Sequence, residues 1–265
     1  MGQPLTGPLV GQHILVTRPA GQAAKLVAGI EGLGGRATHI PFLAINPVAD
    51  HRAIEEIASR LTDYQACVFV SANAVQSAWP TLTDQRPWPE KLTAAVVGPG
   101  TAKALRQLGV KRIQQPEAQF DSEGLLALPF FAPEHCKRQR FALIRGVGGR
   151  DLIASALRER GALVDEASVY ERSLDSRAVA DMQQLLGAEH TMQDRPSAMI
   201  VTSSESLQRF MMAAPEELGQ AIRQLSIIAP HERIVQEAYG LGFEQVRLCD
   251  GGDDGILNFL QTYNE

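Results

Sequence analysis

Six short stretches of the chain carry the residues whose types and positions could support chemistry. In each stretch an apolar run gives way to a helical pattern, with polar residues, glycine or proline at the change. Backbone N–H groups in the first turn of a helix bind anions, and an arginine adds a planar pair of donors suited to a carboxylate or phosphate. We therefore predict an anion-binding site made of Arg18, Ser71, Gly98, Pro99, Gly100, Thr101, Arg145, Gly146, Ser203, Ser204, Pro230 and His231.

Helix capping is the alternative role for the hydroxyl residues in this set. Ser71, Thr101 and Ser203 each stand where a helix is expected to begin, and Ser and Thr are favoured there because their oxygen accepts an unpaired backbone N–H. Thr202 with Glu205 also has the spacing of a capping box. Capping is compatible with ligand binding, and the glycines beside Thr101 allow close approach to the backbone. Both roles therefore stay open.

The glycine-rich stretch Arg145–Gly149 resembles a nucleotide-binding loop only in part. A GxGxxG pattern that began at Gly146 would need its third glycine at position 151, where Asp151 stands. The phosphate-loop signature GxxxxGK[ST] does not occur in the sequence. An arginine beside a glycine turn fits a carboxylate or phosphate better than a dinucleotide.

The sequence contains no recognisable metal or nucleophile motif. The six histidines stand singly, without an HxxxH or HExxH pair. Cys67, Cys136 and Cys249 are far apart and form no CxxC pair, so we expect neither a disulfide framework nor a zinc site. The acidic stretch Asp250–Asp254 is interpreted as a solvated turn. No Ser/His/Asp or Cys/His set can be assigned by spacing.

The composition is that of a soluble globular protein. The chain has 265 residues, 45% of them hydrophobic and 21% charged, and a formal net charge of −5, which argues against general binding of nucleic acid. No apolar run approaches the roughly 18 residues that a membrane span needs. Met1–Val10 lacks the features of a signal peptide, so we expect a cytoplasmic protein without membrane contacts.

Strands and helices alternate along the predicted chain. The opening run His13–Thr17 predicts a strand, Gln22–Leu33 a helix and Arg36–Ile40 a second strand, which together make a βαβ unit. The predicted strands are apolar throughout instead of alternating, as in parallel sheets covered by helices on both faces. In such sheets ligands bind at the carboxyl ends of the strands, where the candidate residues fall.

The second half of the sequence repeats the order of the first. Arg145 lies 127 positions after Arg18, and Gly161, which closes the next helix, lies 127 after Gly34. Four further matches have similar offsets, which indicates a duplicated α/β unit. The repeat alone would divide the chain once, near Ala132–Arg140.

The matched units resemble the uroporphyrinogen-III synthase family over nearly the whole chain, from His13 to Leu260. The resemblance rests on five motifs taken in order. They are Thr17-Arg18-Pro19, Val70-Ser71-Ala72-Asn73-Ala74-Val75, Val97-Gly98-Pro99-Gly100-Thr101-Ala102, Ser122-Glu123-Gly124-Leu125-Leu126 and Val169-Tyr170.

The resemblance implies a different division from the one that the repeat suggests. It implies an α/β fold with two flavodoxin-like parallel-sheet domains joined by two extended connectors, as in HemD. Domain 1 would comprise residues 1–43 and 174–265, and domain 2 residues 44–173. The connectors would lie near Ile40–Pro47 and Val169–Ser176, so the strand-like stretch Glu166–Ser173 would belong to the return crossing.

The resemblance also implies the function. Enzymes of the family are cyclising lyases that convert hydroxymethylbilane into uroporphyrinogen III through a spiro-pyrrolenine, with no metal or cofactor. Tyr170 matches the family tyrosine proposed to assist departure of the substrate hydroxyl, and Ser71, Thr101 and Ser203 fall on substrate-facing positions. Where some relatives carry Gly-Pro-Thr-Thr, this chain has Ala-Pro-His-Glu, so His231 is a candidate donor in place of a threonine.

The expected partners are hydroxymethylbilane and, transiently, the preceding enzyme of the pathway, and we expect a monomer. Two other functions stay open from the sequence. One is a non-enzymatic two-domain protein that binds a small anion, and the other is a nucleotide-dependent transferase, which the missing phosphate motif disfavours.

Overall fold

Parallel strands and helices alternate through the protein, as the sequence predicts. The computed structural model describes residues 7–187 and 194–262. The strands are β1 His13–Val16, β2 Arg36–His39, β3 Leu43–Pro47, β4 Ala66–Phe69, β5 Thr93–Val96, β6 Ile113–Gln114, β7 Arg140–Gly146, β8 Leu163–Leu174, β9 Ala198–Ile200, β10 Ser226–Ala229 and β11 Val246–Leu248. The helices are α1 Ala24–Gly32, α2 Arg52–Ser59, α3 Ala72–Thr83, α4 Pro99–Gln107, α5 Ser122–Leu126, α6 Pro133–Cys136, α7 Leu152–Glu159, α8 Ala178–Leu186, α9 Ser204–Ala213, α10 Glu216–Arg223, α11 Glu232–Gly240 and α12 Gly252–Thr262.

The chain forms two compact units, each with its own sheet. Unit 1 takes the described residues of Met1–Ala44 and Ser173–Glu265, and unit 2 takes Ile45–Arg172. The chain passes from unit 1 to unit 2 within β3 and returns within β8. Both passages are therefore extended strands, as the predicted fold class requires.

The sheet of unit 1 has the order β11-β10-β9-β1-β2. Its neighbouring strands all run parallel. Renumbered along the chain within the unit, the order from the β2 edge is 2-1-3-4-5, which is the flavodoxin-like order.

The sheet of unit 2 has the order β3-β8-β7-β4-β5-β6. The pairs from β8 to β6 are parallel. Matching the repeats places β8, β7, β4, β5 and β6 in the same order as β2, β1, β9, β10 and β11. Unit 2 is thus a circular permutation of unit 1. Along the chain, the five matched strands begin with the central strand β4 in unit 2 and with β1, the second strand from the edge, in unit 1.

Each sheet has a hydrophobic core on both faces, which explains the continuous apolar runs. In β1, Leu15 belongs to one core of unit 1, whereas Ile14 and Val16 belong to the other. In β4, Phe69 and Val68 divide in the same way between the two cores of unit 2. Successive strand residues point to opposite faces, so a sheet covered on both sides needs apolar residues at every position.

Three elements extend further than the sequence patterns predict. Helix α3, whose beginning the pattern at Ala72–Trp79 indicates, continues to Thr83 with Pro80 inside it. Helix α4 begins at Pro99, within the stretch expected to be a loop, because proline is well suited to the first position of a helix. Strand β7 extends through Arg145 to Gly146, and Gly146 was expected in the turn after the strand.

None of the helices among the described residues is both long and apolar enough to cross a membrane.

Candidate active site

The carboxyl ends of the parallel strands carry the residues that the sequence singled out. In unit 2, Ser71 follows β4, Gly98 follows β5, and Arg145-Gly146 ends β7. In unit 1, Arg18 and Ser203 hold the corresponding positions after β1 and β9. Parallel strands end at one edge of their sheet. The candidates therefore form one group in each unit.

Ser71, Tyr170 and Arg172 form a hydrogen-bonded cluster in unit 2. The Ser71 Oγ lies 3.0 Å from the hydroxyl oxygen of Tyr170, and Nη2 of Arg172 donates to the same oxygen at 3.0 Å. The Arg172 guanidinium carbon also lies 5.4 Å from the centre of the Tyr170 ring, within the range of a cation–π contact. The phenol is therefore held at its hydroxyl and over its ring.

Ser71 has a second role at the start of α3. Its side chain accepts the backbone N–H of Ala74 at 3.1 Å, so it is the N-cap of the helix. The capping role expected from the sequence is present, and the contact with Tyr170 is made by the same oxygen.

Tyr170 is completely buried within one of the two cores of unit 2, at 0% exposure. Its backbone pairs with Gly146 across β7 and β8, at a point where the strand register shifts. Ser71 and Arg172 are only partly buried. Within the cluster, Ser71 and Arg172 therefore reach the surface, whereas Tyr170 does not.

The first turn of α4 presents backbone at the same edge of unit 2. Gly98 is the N-cap in an extended conformation, and Pro99 and Gly100 are exposed. A Cβ added to Gly100 would meet no heavy atom within 4 Å, so this turn is open to a ligand. Thr101, by contrast, is 6% exposed and packs inward. The anion-binding prediction applies to the backbone of this turn and not to the threonine hydroxyl.

Arg145 binds groups of its own unit. Its Nη1 donates to the carbonyls of Gly149 and Arg150 and to Asp151 Oδ1, at 3.1, 3.2 and 2.8 Å. Its Nη2 lies 3.0 Å from Glu166 Oε2 on β8. The arginine therefore holds the glycine turn against the neighbouring strand, and a substrate carboxylate would have to compete with two protein carboxylates.

Arg18 has a similar partner in unit 1. Its guanidinium forms an ion pair with Asp253, in the first turn of α12, and both side chains are mostly buried. The interpretation of Asp250–Asp254 as a wholly solvated turn is therefore wrong at Asp253. The next residue, Asp254, pairs with Lys25 at 2.8 Å on the surface.

The other candidates of unit 1 stand at two helix starts. Ser203 caps α9 by accepting the N–H of Ser206 at 3.3 Å, and Ser204 is the first residue of that helix. The cap is thus Ser203 and not Thr202, the first residue of the predicted capping box. Before α11, Pro230 is buried and His231 is the exposed N-cap residue, without a side-chain hydrogen bond to the helix.

Two groups near these edges have shifted pKa values. The Asp121 carboxylate accepts the N–H of Gly124 at the start of α5, and this hydrogen bond lowers the pKa of the carboxyl. After β11, burial and the neighbouring Asp250 raise the pKa of the Cys249 thiol to about 11, against the opposing effect of Arg18. Cys249 is therefore a neutral thiol at physiological pH.

Arg172 and Asp253 lie at these edges but are not among the site residues predicted from the sequence. A signal existed for Arg172, because strand residues two apart point to the same face and Arg172 follows Tyr170 by two. No local signal links Asp253 to Arg18, which lies 235 positions away. Within residues 7–187 and 194–262, no three His, Cys, Asp or Glu side chains group as metal ligands would.

Comparison with known proteins shows the family of this chain. The family model described as uroporphyrinogen-III synthase HemD matches residues 24–251. Uroporphyrinogen-III synthase of Escherichia coli K12 is 29% identical over 252 residues, which cover 94% of this chain and 99% of that protein. The Synechococcus elongatus protein of the same name is 31% identical over 214 residues, covering 80% and 78%.

Solved structures agree with the fold. A mutant uroporphyrinogen III synthase from the extremely thermophilic bacterium Thermus thermophilus matches with a TM-score of 0.59 at 16% identity, over 96% of this chain and 97% of that one. Uroporphyrinogen-III synthetase from Helicobacter pylori 26695 matches with a TM-score of 0.58 at 14% identity, over 95% and 99%. At these identities the likeness concerns the fold.

The match to the family model covers well over half of the chain. The two α/β units with parallel sheets, joined through the extended strands β3 and β8, have the fold expected of this family. The chain belongs to the uroporphyrinogen-III synthase family.

Proposed function

We propose that this protein is a uroporphyrinogen-III synthase that cyclises hydroxymethylbilane to uroporphyrinogen III, with inversion of the last ring and loss of water. It is then a cyclising lyase of tetrapyrrole and haem biosynthesis. The family match over residues 24–251 is the observation that carries the proposal.

The proposed reaction has three stages. Loss of the hydroxymethyl OH gives an azafulvene cation on the first ring. The substituted α-carbon of the last ring attacks this cation and forms a spiro-pyrrolenine. Fragmentation and recombination then close the macrocycle with the last ring inverted. The protein must assist departure of the hydroxyl and hold a flexible chain of four rings in one geometry, because the same substrate also closes without inversion.

Helix starts at the strand ends are the proposed anchors for the eight substrate carboxylates. The first N–H groups of a helix have no intrahelical partners, and the helix dipole favours negative charge there. Helix α4 would act through the exposed turn at Pro99 and Gly100, α9 through the partly exposed Ser204, and α11 through the exposed His231. Arg18 and Arg145 would contribute mainly by holding these edges in place, since each pairs with a carboxylate of its own unit.

Tyr170 is proposed to assist departure of the hydroxyl. The phenolic O–H of tyrosine is a hydrogen-bond donor. Its ring is buried at 0% exposure, so its contribution must reach the substrate through a neighbouring group.

The test is incubation of the purified protein with freshly prepared hydroxymethylbilane, followed by chromatographic separation of the type I and type III isomers. We expect the type III isomer to predominate with protein and the type I isomer without it. Type I isomer alone in both samples would contradict the proposal. It would favour the alternative, a non-enzymatic two-domain protein that binds a small anion, which should then bind hydroxymethylbilane without converting it.

We also propose that the protein works in the cytoplasm, where it meets the enzyme that supplies hydroxymethylbilane. The substrate cyclises spontaneously, so a short-lived contact would limit its loss. Co-sedimentation of the two proteins, with and without substrate, is the measurement for that contact.

A further inference from the structure

The direction of the hydrogen bonds at Tyr170 follows from the chemistry of its neighbours. Arginine has only donors, so Arg172 donates to the phenolic oxygen at 3.0 Å. Distance alone allows either atom of the Ser71–Tyr170 contact at 3.0 Å to donate, but Tyr170 is fully buried and its own O–H needs an acceptor, for which the Ser71 Oγ is in reach. Arg172 thus turns the tyrosine into a donor toward Ser71.

The same reasoning fixes the Ser71 hydroxyl. Its oxygen accepts the N–H of Ala74 at 3.1 Å and the O–H of Tyr170, which occupies both lone pairs. The Ser71 proton must therefore point away from both neighbours. Ser71 is partly exposed, whereas Tyr170 has no exposed surface. The serine is the member of this chain of hydrogen bonds whose hydroxyl can reach a ligand.

We infer that Ser71 is the catalytic hydroxyl of this site, and that Tyr170 and Arg172 are positioning residues that keep it a donor toward the hydroxyl that the substrate loses. The inference rests on the proposed synthase function. It assigns the contact with substrate to Ser71, where the sequence resemblance implied Tyr170.

The proton movements of this arrangement balance. When the hydroxymethyl C–O bond breaks, its electron pair goes to oxygen, which takes the Ser71 proton and leaves as water. The Ser71 oxygen takes the Tyr170 proton, and the resulting phenolate faces the Arg172 guanidinium. The last ring loses its α-carbon proton after ring closure; the Ser71 hydroxyl takes this proton and passes its own to the phenolate, which restores Tyr170. No oxidant, reductant or metal takes part in these transfers.

Helix capping alone is the competing explanation for Ser71. Ser71→Gly removes the hydroxyl but costs only a few tenths of a kcal/mol as a cap, and Ser71→Asn keeps an N-cap oxygen without a hydroxyl. Ser71→Thr keeps both. Asp121→Gly removes a side-chain cap from α5 of the same unit, where Asp121 accepts the Gly124 N–H at 2.8 Å, and is the matched control.

The experiment compares kcat and KM for these variants, for Tyr170→Phe and for the double variant Ser71→Gly/Tyr170→Phe. We expect kcat to fall about thirtyfold in Ser71→Gly and Ser71→Asn and about tenfold in Tyr170→Phe, with little change in KM. The double variant should match Ser71→Gly within about twofold, because the tyrosine acts through the serine. Ser71→Thr should recover most of the rate, and Asp121→Gly should retain it.

Two results would overturn the inference. One is a kcat for both Ser71→Gly and Ser71→Asn within about twofold of the unmodified protein. The other is a double variant whose loss is the product of the single losses, which would mean that Tyr170 acts independently. Failure of the proposed function has a different signature, since the unmodified protein would then give only the type I isomer.

Discussion

Gly146 lies so close to the Tyr170 ring that a side chain at position 146 would clash with it. A Cβ placed on Gly146 would be 2.6 Å from Cζ of the tyrosine ring and 2.7 Å from Cε2. Carbon atoms that are not bonded do not approach so closely. The glycine at the end of β7 therefore leaves room for the Tyr170 ring, whose hydroxyl lies 3.0 Å from the Ser71 Oγ.

Gly146→Ala should displace the tyrosine ring. We expect the free energy of unfolding to fall by about 1–3 kcal/mol, as for other overpacked cores, and kcat to fall at least as far as in Tyr170→Phe. Urea denaturation and the isomer assay measure the two effects. Gly32→Ala is the matched control, because a Cβ on this helical glycine of α1 would meet nothing within 4 Å. Equal losses in the two variants would contradict the packing explanation.

The ion pair between Arg18 and Asp253 should stabilise unit 1 more than a surface pair does. Their side chains are 13% and 19% exposed, against 62% and 84% for the neighbouring pair of Lys25 and Asp254. A double-mutant cycle with Arg18→Met and Asp253→Asn should give a coupling of about 1–2 kcal/mol in urea denaturation, because the pair is largely shielded from water. The cycle for Lys25 and Asp254 should give less than about 0.5 kcal/mol. Similar couplings in the two cycles would show that burial is unimportant here.

The architecture could be predicted from the sequence because its physical causes are local. Apolar runs such as His13–Val16 need no partner to be recognised as strands buried on both faces. Ser71 and Ser203 could be recognised as helix starts for the same reason, and both are N-caps. The short strand Ile113–Gln114 escaped prediction because two residues carry no measurable periodicity.

The pairing of charges could not be predicted, because it depends on which distant segments meet. Arg145 has the sequence context of an anion-binding residue, yet Asp151 and Glu166 compete for its guanidinium. Glu166 comes from the next strand of the sheet, a neighbour that only the strand order reveals. Position at a strand end indicates where a ligand would bind, whereas availability of each side chain depends on the tertiary structure.

Acid should destabilise unit 1 through His13 at the start of β1. Burial lowers the pKa of this histidine, with a further lowering by Arg36 and opposing effects of the hydrogen bond to the Asp194 carbonyl and of the Asp194 charge. A folded-state pKa below the unfolded value of about 6.5 means that the folded protein binds fewer protons. Stability is therefore complete above pH 6.5 and is lost as pH falls through the folded pKa, at no more than about 1.4 kcal/mol per pH unit.

Urea midpoints at pH 7.5 and pH 5.0 measure this loss. His13→Asn replaces the titrating ring by a neutral amide and should reduce the difference between the two midpoints. His51→Gln changes an exposed histidine and should leave the difference as it is. A pH difference that is the same in all three proteins would assign the acid sensitivity to other groups.

The three cysteines should be unreactive in the folded protein. Cys67 and Cys136 have no exposed surface and Cys249 has 9%, and burial raises the pKa of all three thiols, to about 11 for Cys249. The thiolate is the form that attacks a disulfide reagent. We expect almost no thiol titration at pH 8 in buffer and three thiols per chain in urea. Cys249 should react first as the pH is raised toward 11, because its thiolate forms as the pH rises through that pKa. The folded state, which holds the thiol neutral, also loses stability over the same rise in pH. Rapid labelling of one thiol at pH 8 would mean that a buried cysteine becomes accessible in solution.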